Sequence, residues 1–538
     1  MRKLIVLAVL LFATMSAYAD VTLNGLFTDH MVLQRDIPVS VNGMAEPGEK
    51  VTVTFALRQG SIDFAQDRSG QASQEKSATA DKDGKWSVKL DAMKATTNSV
   101  AMTVTGKNKI TLNDIVIGDV WVCSGQSNME FGMGGCNRPD DIKDANIPLM
   151  RQFYVQKHPS SFPLKEVKSS WTVCTSQSAA GFTAVGFYFG RKLQQDTGVP
   201  IGLINSAWGG TAIEPWCSSE GLASIPELAK EKENLDKQIK EYRDRLASTL
   251  PKIEAYIAEV RKALSNNSDI PAPVEFPAHP ISNSGPGGWQ CLYNGMINPL
   301  INFGIKGAIW YQGESNGGEG DSYFQKKRAL IGGWRKAWNI GEFPFYFVQL
   351  ANFQNPSENP EGGDGWAKVR MAQFKTLTIP NTGMAVAIDL ADIGNAGDIH
   401  PKNKRDVGER LALWALAKDY GKKDLVYSGP LYKEIKIEGD KARIIFDSVG
   451  SGLTIATKKG YDPMVKNPQG KLQKFAVAGE DKKWVWADAV IEGKTVVVSS
   501  PSVPKPVAVR YAFSMNPDGC NLYNNEGLPA SPFRTDEW

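Results

Sequence analysis

A serine placed just beyond an apolar strand is the first residue of this chain suited to covalent chemistry. Trp121-Val122-Cys123-Ser124-Gly125-Gln126-Ser127-Asn128-Met129-Glu130 reads as a strand entering a glycine-bearing turn, with Ser127 presented at the strand's carboxyl end. A serine hydroxyl needs a general base before it can attack a carbonyl. The turn departs from the G-x-S-x-G elbow, because Met129 stands where the second glycine would be. Four histidines are available as bases: His30 in an N-terminal β-region, His158 and His279 in loops, and His400. His400 lies in Gly397-Asp398-Ile399-His400-Pro401, after a strand and at the head of a helix whose buried face is marked by Val407, Leu411 and Trp414. Pro401 suits the first helical position. Asp398, two residues away, is a candidate partner that would fix the imidazole tautomer and stabilise its cation. Taken singly, a serine in a turn or a histidine before a helix is ordinarily structural.

Two further segments strengthen the pair. Asn205-Ser206-Ala207-Trp208-Gly209-Gly210-Thr211 follows a strand, and its glycines allow backbone N–H groups to approach an oxyanion. Trp310-Tyr311-Gln312-Gly313-Glu314-Ser315-Asn316 follows another, with the Gln312 amide as a second donor. All four segments follow separate strand candidates.

The elements that must position them are strands at Ile115–Cys123, Ile201–Ser206, Ala308–Tyr311, Phe345–Gln349 and Met384–Ile388. Helical patterns between them include Thr183–Gln195 and Ser322–Trp338. Strands alternating with helices specify a parallel, doubly wound α/β sheet, whose ligands gather at the carboxyl ends of the strands. This region spans 115–421. Residues 20–114 alternate with a period of two and read as a β-sandwich, interrupted by a polar hairpin loop from Gln59 to Ser77. Residues 422–538 return to alternation as a second β-domain. Within the α/β region, 219–284 is an insertion. Apolar residues at helical spacing on either side of Pro251 predict an antiparallel helical hairpin with a solvated Lys/Glu face, followed by an irregular Pro/Ser/Gly stretch.

Composition limits the function classes. A net charge of +3 without any basic run gives no support for nucleic-acid or membrane-surface binding. Met1-Arg2-Lys3, the apolar run Leu4 to Ala13 and Ala17-Tyr18-Ala19 form a signal-peptide pattern over 1–19, so the protein is expected to be exported, periplasmic or secreted. No later segment has the length of a membrane span. The six cysteines are too sparse over 538 residues for a disulfide framework, and none has metal-ligand spacing. No metal or organic cofactor is called for, and nothing specifies an oligomer.

The combination Gly-Gln-Ser-Asn-Met, Trp-Gly-Gly-Thr, Trp-Tyr-Gln-Gly-Glu-Ser-Asn and Asp-Ile-His-Pro resembles the sialate O-acetylesterases, members of the SGNH (GDSL-like) hydrolases. The resemblance extends to Met31-Val32-Leu33-Gln34-Arg35 and to Gly527 through Thr535, nearly the whole mature chain. It implies an SGNH, flavodoxin-like core flanked by β-domains, acting on acetylated sialic acid or a related glycan. Acetylated xylan is the alternative substrate, and a noncatalytic glycan-binding protein is the alternative of another class. By position it makes Ser127 the nucleophile and His400 the base. It places the oxyanion hole at the N–H groups of Ser127 and of Gly209 or Gly210, together with Gln312. Many SGNH enzymes carry the triad acid three residues before the histidine, where this chain has Gly397. Asp398 is therefore preferred, with Asp392 and Asp389, or a Ser–His dyad, as alternatives. Trp208, Trp216 and Trp310 are candidate stacking surfaces, and Gln126 and Glu314 candidate sugar contacts.

Overall fold

A computed structural model describes residues 20–59, 62–64, 73–281, 285–392, 394–395 and 397–538. The expected signal peptide lies outside the described residues. Seven strands build the sheet that carries the site: β1 (Lys109–Gly125), β2 (Ile147–Tyr154), β3 (Trp171–Cys174), β4 (Ile201–Ala207), β5 (Gly307–Tyr311), β6 (Phe345–Gln349) and β7 (Thr382–Val386). Their order is β3-β2-β4-β1-β5-β6-β7. Every neighbouring pair is parallel except the edge pair β2–β3. The helices used below are α1 (Ser127–Glu130), α2 (Ala184–Thr197), α3 (Ala229–Ser265), α4 (Asp321–Trp338), α5 (Gly365–Lys375) and α6 (Lys404–Lys418).

Strands β4, β5 and β6 are buried along their whole length, as a sheet covered on both faces requires. Trp121 of β1 meets Phe189 of α2 edge-on at 5.0 Å, and Trp310 of β5 meets Trp334 of α4 edge-on at 6.0 Å. The β1–β5 register sets Trp310 opposite Ser124. Side chains alternate along a strand, so the two tryptophans anchor helices on opposite faces. Each buries an area worth roughly 4–6 kcal/mol of transfer free energy before the entropy of ordering. Register also levels the strand ends: Ala207 and Tyr311 both lie opposite Gly125. The loops after β1, β4 and β5 therefore leave the sheet at one height.

Strand β1 is 17 residues long and serves two layers. Its first half pairs with Thr96–Thr105 and with Val32–Gln34, and its second half enters the parallel sheet. The N-terminal β-layer and the α/β layer thus share one hydrophobic core. The C-terminal strands form antiparallel sheets around a separate cluster that includes Phe446, Phe475, Val498, Tyr511 and Phe533. Arg370 of α5, fully buried, ties the two together. It donates to the carbonyls of Leu350 and Ala351 at 2.8 and 2.7 Å, and to those of Ser514 and Met515 at 2.6 and 3.0 Å.

Several expectations are corrected. The helical hairpin is instead the single helix α3, 37 residues long with Pro251 inside it. The apolar residues on both sides of Pro251 stay in phase at positions 235, 239, 242, 246, 253, 256 and 260, so nothing in the pattern reverses the chain. The helix is exposed around Pro251, and the carbonyl that proline leaves unpaired can be hydrated. The returning segment supplies the packing partner, as the Tyr242–His279 ring contact at 4.6 Å shows. Strands β2 and β3 were not expected, because Pro148, Arg151 and Gln152 disguise β2; Arg151 is buried there by a two-bond pair with Asp114 at 2.5 and 3.2 Å. The polar Gln59–Ser77 stretch contributes strand pairs at Ile62–Phe64 and Gln74–Thr79. Helix α6 starts at Lys404 rather than Pro401, since the Asn403 side chain caps it by accepting from the Asp406 N–H at 3.1 Å. All six cysteines are unbridged thiols. Among the described residues no helix is long and apolar enough to cross a membrane.

Candidate active site

Strand β1 ends in a turn that only glycine can make. Gly125 has φ +139°, and a Cβ at that position would lie 2.2 Å from the Tyr311 carbonyl oxygen. The Gln126 N–H donates to that same carbonyl at 3.0 Å, and the Gln126 carbonyl accepts from Met129 and Glu130 to start α1. Gln126, Asn128 and Met129 are buried while Ser127 is partly exposed, so the turn presents a single hydroxyl.

His400 reaches that hydroxyl. Its Nε2 is 2.8 Å from Ser127 Oγ, across 273 residues of sequence. On the other side of the ring, Nδ1 is 3.5 Å from Asp398 Oδ1, longer than a well-formed hydrogen bond. That oxygen also accepts the His400 backbone N–H at 2.9 Å, which folds the Asp398 side chain toward the ring. Phe131 stacks on the imidazole at 6.2 Å. Burial pushes the His400 pKa below its ordinary value, the charge of Lys404 adds to the effect, and Asp398 opposes it. The ring is therefore neutral, as a base must be, somewhat further into the acid range than a free histidine.

The other candidate acids are engaged elsewhere. Asp389 forms a bidentate pair with Arg410 at 2.6 and 2.8 Å, and accepts from Tyr523 at 3.2 Å. Asp392 accepts the Lys402 N–H at 3.2 Å. Asp398 is the one of the three that stands beside the ring.

The expected oxyanion donors divide. Gly209 lies against Ser127, where an added Cβ would come 3.2 Å from the serine Cβ, but its N–H donates to Glu130 Oε2 at 2.7 Å. Gly210 has φ +73° and is exposed. Among the described residues, neither its N–H nor that of Ser127 has a protein acceptor. Gln312 is wholly buried, and its Nε2 donates to Asn316 Oδ1 at 2.7 Å and to the Thr211 carbonyl at 3.3 Å. Tyr323 donates to its Oε1 at 2.8 Å. Gln312 braces the loop after β5 against the loop after β4, with both its amide hydrogens committed.

The candidate sugar contacts also separate. Trp208 is partly exposed, with Lys157 Nζ 5.6 Å from its ring centroid. Trp216 and Trp310 are core residues, packed edge-on at 6.1 Å, and Trp216 donates to Thr211 Oγ1 at 3.0 Å. Gln126 Oε1 accepts from the Ser315 and Gly313 N–H groups at 3.2 and 3.5 Å. Glu314 is buried beneath the site, accepting from Asn128 Nδ2 at 2.6 Å, and burial raises its pKa. Sequence reasoning missed Asn128, Phe131 and Lys404. Lys404 carries a faint signal: a cation in the first turn of a helix, against the dipole and four residues after the histidine.

Comparison with known proteins places the chain. Residues 117–257 and 281–417 match a family described as carbohydrate esterase, sialic acid-specific acetylesterase. The chain is 31% identical to the sialate O-acetylesterase of Mus musculus, over 98% of this chain and 97% of that protein. It is 30% identical to that of Homo sapiens, over 98% and 95%. Among solved structures, a carbohydrate acetylesterase from Xanthomonas citri superposes with a TM-score of 0.76 at 36% identity, covering 96% of this chain and all of that one.

Proposed function

The chain belongs to the sialic acid-specific acetylesterase family of carbohydrate esterases, and on that premise we propose that it removes O-acetyl groups from sialic acid or a related glycan by a serine mechanism. The observation that carries this reading is the 2.8 Å contact between His400 Nε2 and Ser127 Oγ at the carboxyl edge of the sheet. His400 takes the Ser127 proton as Oγ attacks the acetyl carbonyl. The N–H groups of Ser127 and Gly210 receive the oxyanion. The imidazolium of His400 then protonates the departing sugar oxygen, leaving an acetyl-serine. In the second half, His400 deprotonates a water that attacks the acetyl group, and Ser127 leaves with the proton returned. Asp398 orients the ring and stabilises its cation. Gln126, with Oε1 held by the backbone, keeps its Nε2 for the sugar, and Trp208 offers a face at the rim.

The finer fold reading is an SGNH core. It is supported by the order β4-β1-β5-β6-β7, which numbers as the flavodoxin-like 2-1-3-4-5 once the added edge strands are set aside. We divide the chain into a β-sandwich at 20–114, an esterase unit at 115–421 and a β-unit at 422–538. The first is fused to the second through β1. The pattern of residues 1–19 supports export with cleavage near Ala19.

The test is hydrolysis of O-acetylated sialic acid beside acetylated xylan by wild type, Ser127→Ala and His400→Ala. The reading expects preference for the sialic acid ester and a loss of ~10⁴-fold or more in kcat for either variant. Preference for xylan overturns the substrate assignment. Retained hydrolysis by Ser127→Ala overturns the site.

A further inference from the structure

Asn128 follows Ser127 in sequence and is only 1% exposed, yet its carboxamide bonds to three other elements at once. Its Nδ2 donates to the Ile399 carbonyl, next to His400, at 2.9 Å and to Glu314 Oε1 at 2.6 Å. Its Oδ1 accepts from Lys404 Nζ in the first turn of α6. One side chain therefore joins the serine turn, the loop after β5, the histidine loop and the helix that follows it.

The two ends of that amide are not interchangeable. A carboxylate can only accept and an ammonium can only donate, so Glu314 must face the NH2 and Lys404 must face the oxygen. With the amide pinned this way, its second N–H has one direction left, toward Ile399. Both flanking groups are buried, Lys404 completely, and Glu314 keeps an Oε2 that is buried without a partner. The Lys404 ammonium also sits over the rings of Phe131 and Tyr311 at 5.0 and 5.2 Å. Burying such groups is costly, and removing one partner leaves the other uncompensated.

We infer that Asn128 is a positioning residue for the esterase reaction: it holds the Ile399–His400 segment against the serine turn, while Glu314 and Lys404 keep its carboxamide in the orientation that does so. The inference rests on the proposed roles of Ser127 and His400. It reassigns Glu314 from sugar contact to support of the base. Asn128 acts through the imidazole and touches no reacting atom.

The experiment measures kcat and KM on nitrophenyl acetate for the full chain, as wild type, Asn128→Ala, His400→Ala and the double variant. Asn128→Ala is expected to lower kcat by about 10²-fold, the effect of a base misplaced by roughly an ångström, with KM little changed. In the double variant kcat should match that of His400→Ala to within about threefold, because a residue that acts through the ring has nothing left to position. Losses that add in the double variant overturn the inference, as does an Asn128→Ala kcat within about threefold of wild type. Should Asn128→Ala fail to fold, Glu314 decides. Glu314→Gln keeps an oxygen facing Asn128 and should exceed Glu314→Leu in kcat by about tenfold, the worth of one buried hydrogen bond. Equal rates for those two overturn the inference. A Ser127→Ala protein with wild-type activity is a separate result, and overturns the reading of the site itself.

Discussion

The serine turn and the histidine loop meet at one hydrogen bond but are built by different means. The serine turn is main-chain work: Gly125 adopts a positive φ, Gln126 donates to Tyr311, and Trp208 donates to the Gly125 carbonyl at 3.1 Å. All of this lies between fully buried strands. Among the described residues, the histidine loop between β7 and α6 has only short-range backbone hydrogen bonds, and side-chain contacts with distant segments hold it. Asn128 holds Ile399, the Asn403 amide donates to Gly460 at 2.7 Å, and the Tyr461 hydroxyl lies 2.5 Å from the Lys402 carbonyl. Ser127 is thus placed by topology, which most substitutions leave intact. His400 is placed by individual side chains, two of them in contacts with the C-terminal turn at Gly460 and Tyr461, and is the part more easily displaced.

The comparison can be attacked from the serine side first. In Gly125→Ala the new Cβ has no room and the backbone angle is unfavourable, so the turn must move. kcat should fall about 10³-fold as the attack geometry is lost. Stability should fall by about 2–4 kcal/mol in a denaturant titration. A variant with near-normal rate and midpoint would show that the main chain does not fix Ser127.

Asp398→Asn attacks the other side. It keeps the shape of the side chain and removes its charge, so kcat should drop by about 10²-fold. The pH profile supplies the sign. In the wild type the acid limb of kcat/KM should have its midpoint below the ordinary histidine value of 6.5, because burial and Lys404 disfavour the cation. Asp398 favours the cation, so its loss should move the midpoint to still lower pH. A midpoint that rises would contradict the placement of Asp398 beside the ring.

Tyr461→Phe is the smallest change. It removes a hydroxyl that lies 2.5 Å from the Lys402 carbonyl and 2.7 Å from that of Cys136. The loss should be about 1 kcal/mol in stability and a several-fold decrease in kcat/KM. An unchanged rate would mean that the C-terminal turn carrying Tyr461 does not help to hold the histidine loop.

What the sequence made legible follows the same division. The meeting of Ser127 and His400 could be anticipated because serine chemistry calls for scarce residue types in a fixed topological place, and only four histidines competed. The parallel strands β1, β4, β5, β6 and β7 could be read because buried strands are continuous apolar runs. Position after a strand told which edge a residue occupies, but not which way its side chain turns. Gln312 bonds back to Asn316, Trp216 packs in the core, and Glu314 bonds to Asn128. Lys404 carried only a faint signal because a lysine in a helix reads as solvated, and the amide it bonds is contributed 276 residues earlier. Helix α3 was misread at a proline that its exposed setting tolerates. Strand β2 was hidden by an arginine whose partner, Asp114, is remote in sequence.

The central claim is that His400 activates Ser127, and covalent labelling tests it most directly. Wild type and His400→Ala are treated with a fluorophosphonate at neutral pH, and the modified peptide is mapped by mass spectrometry. The account predicts a single adduct on Ser127 in the wild type and, in His400→Ala, labelling slowed by about 10²-fold or more. An adduct on another serine, or equal labelling rates in the two proteins, would contradict it.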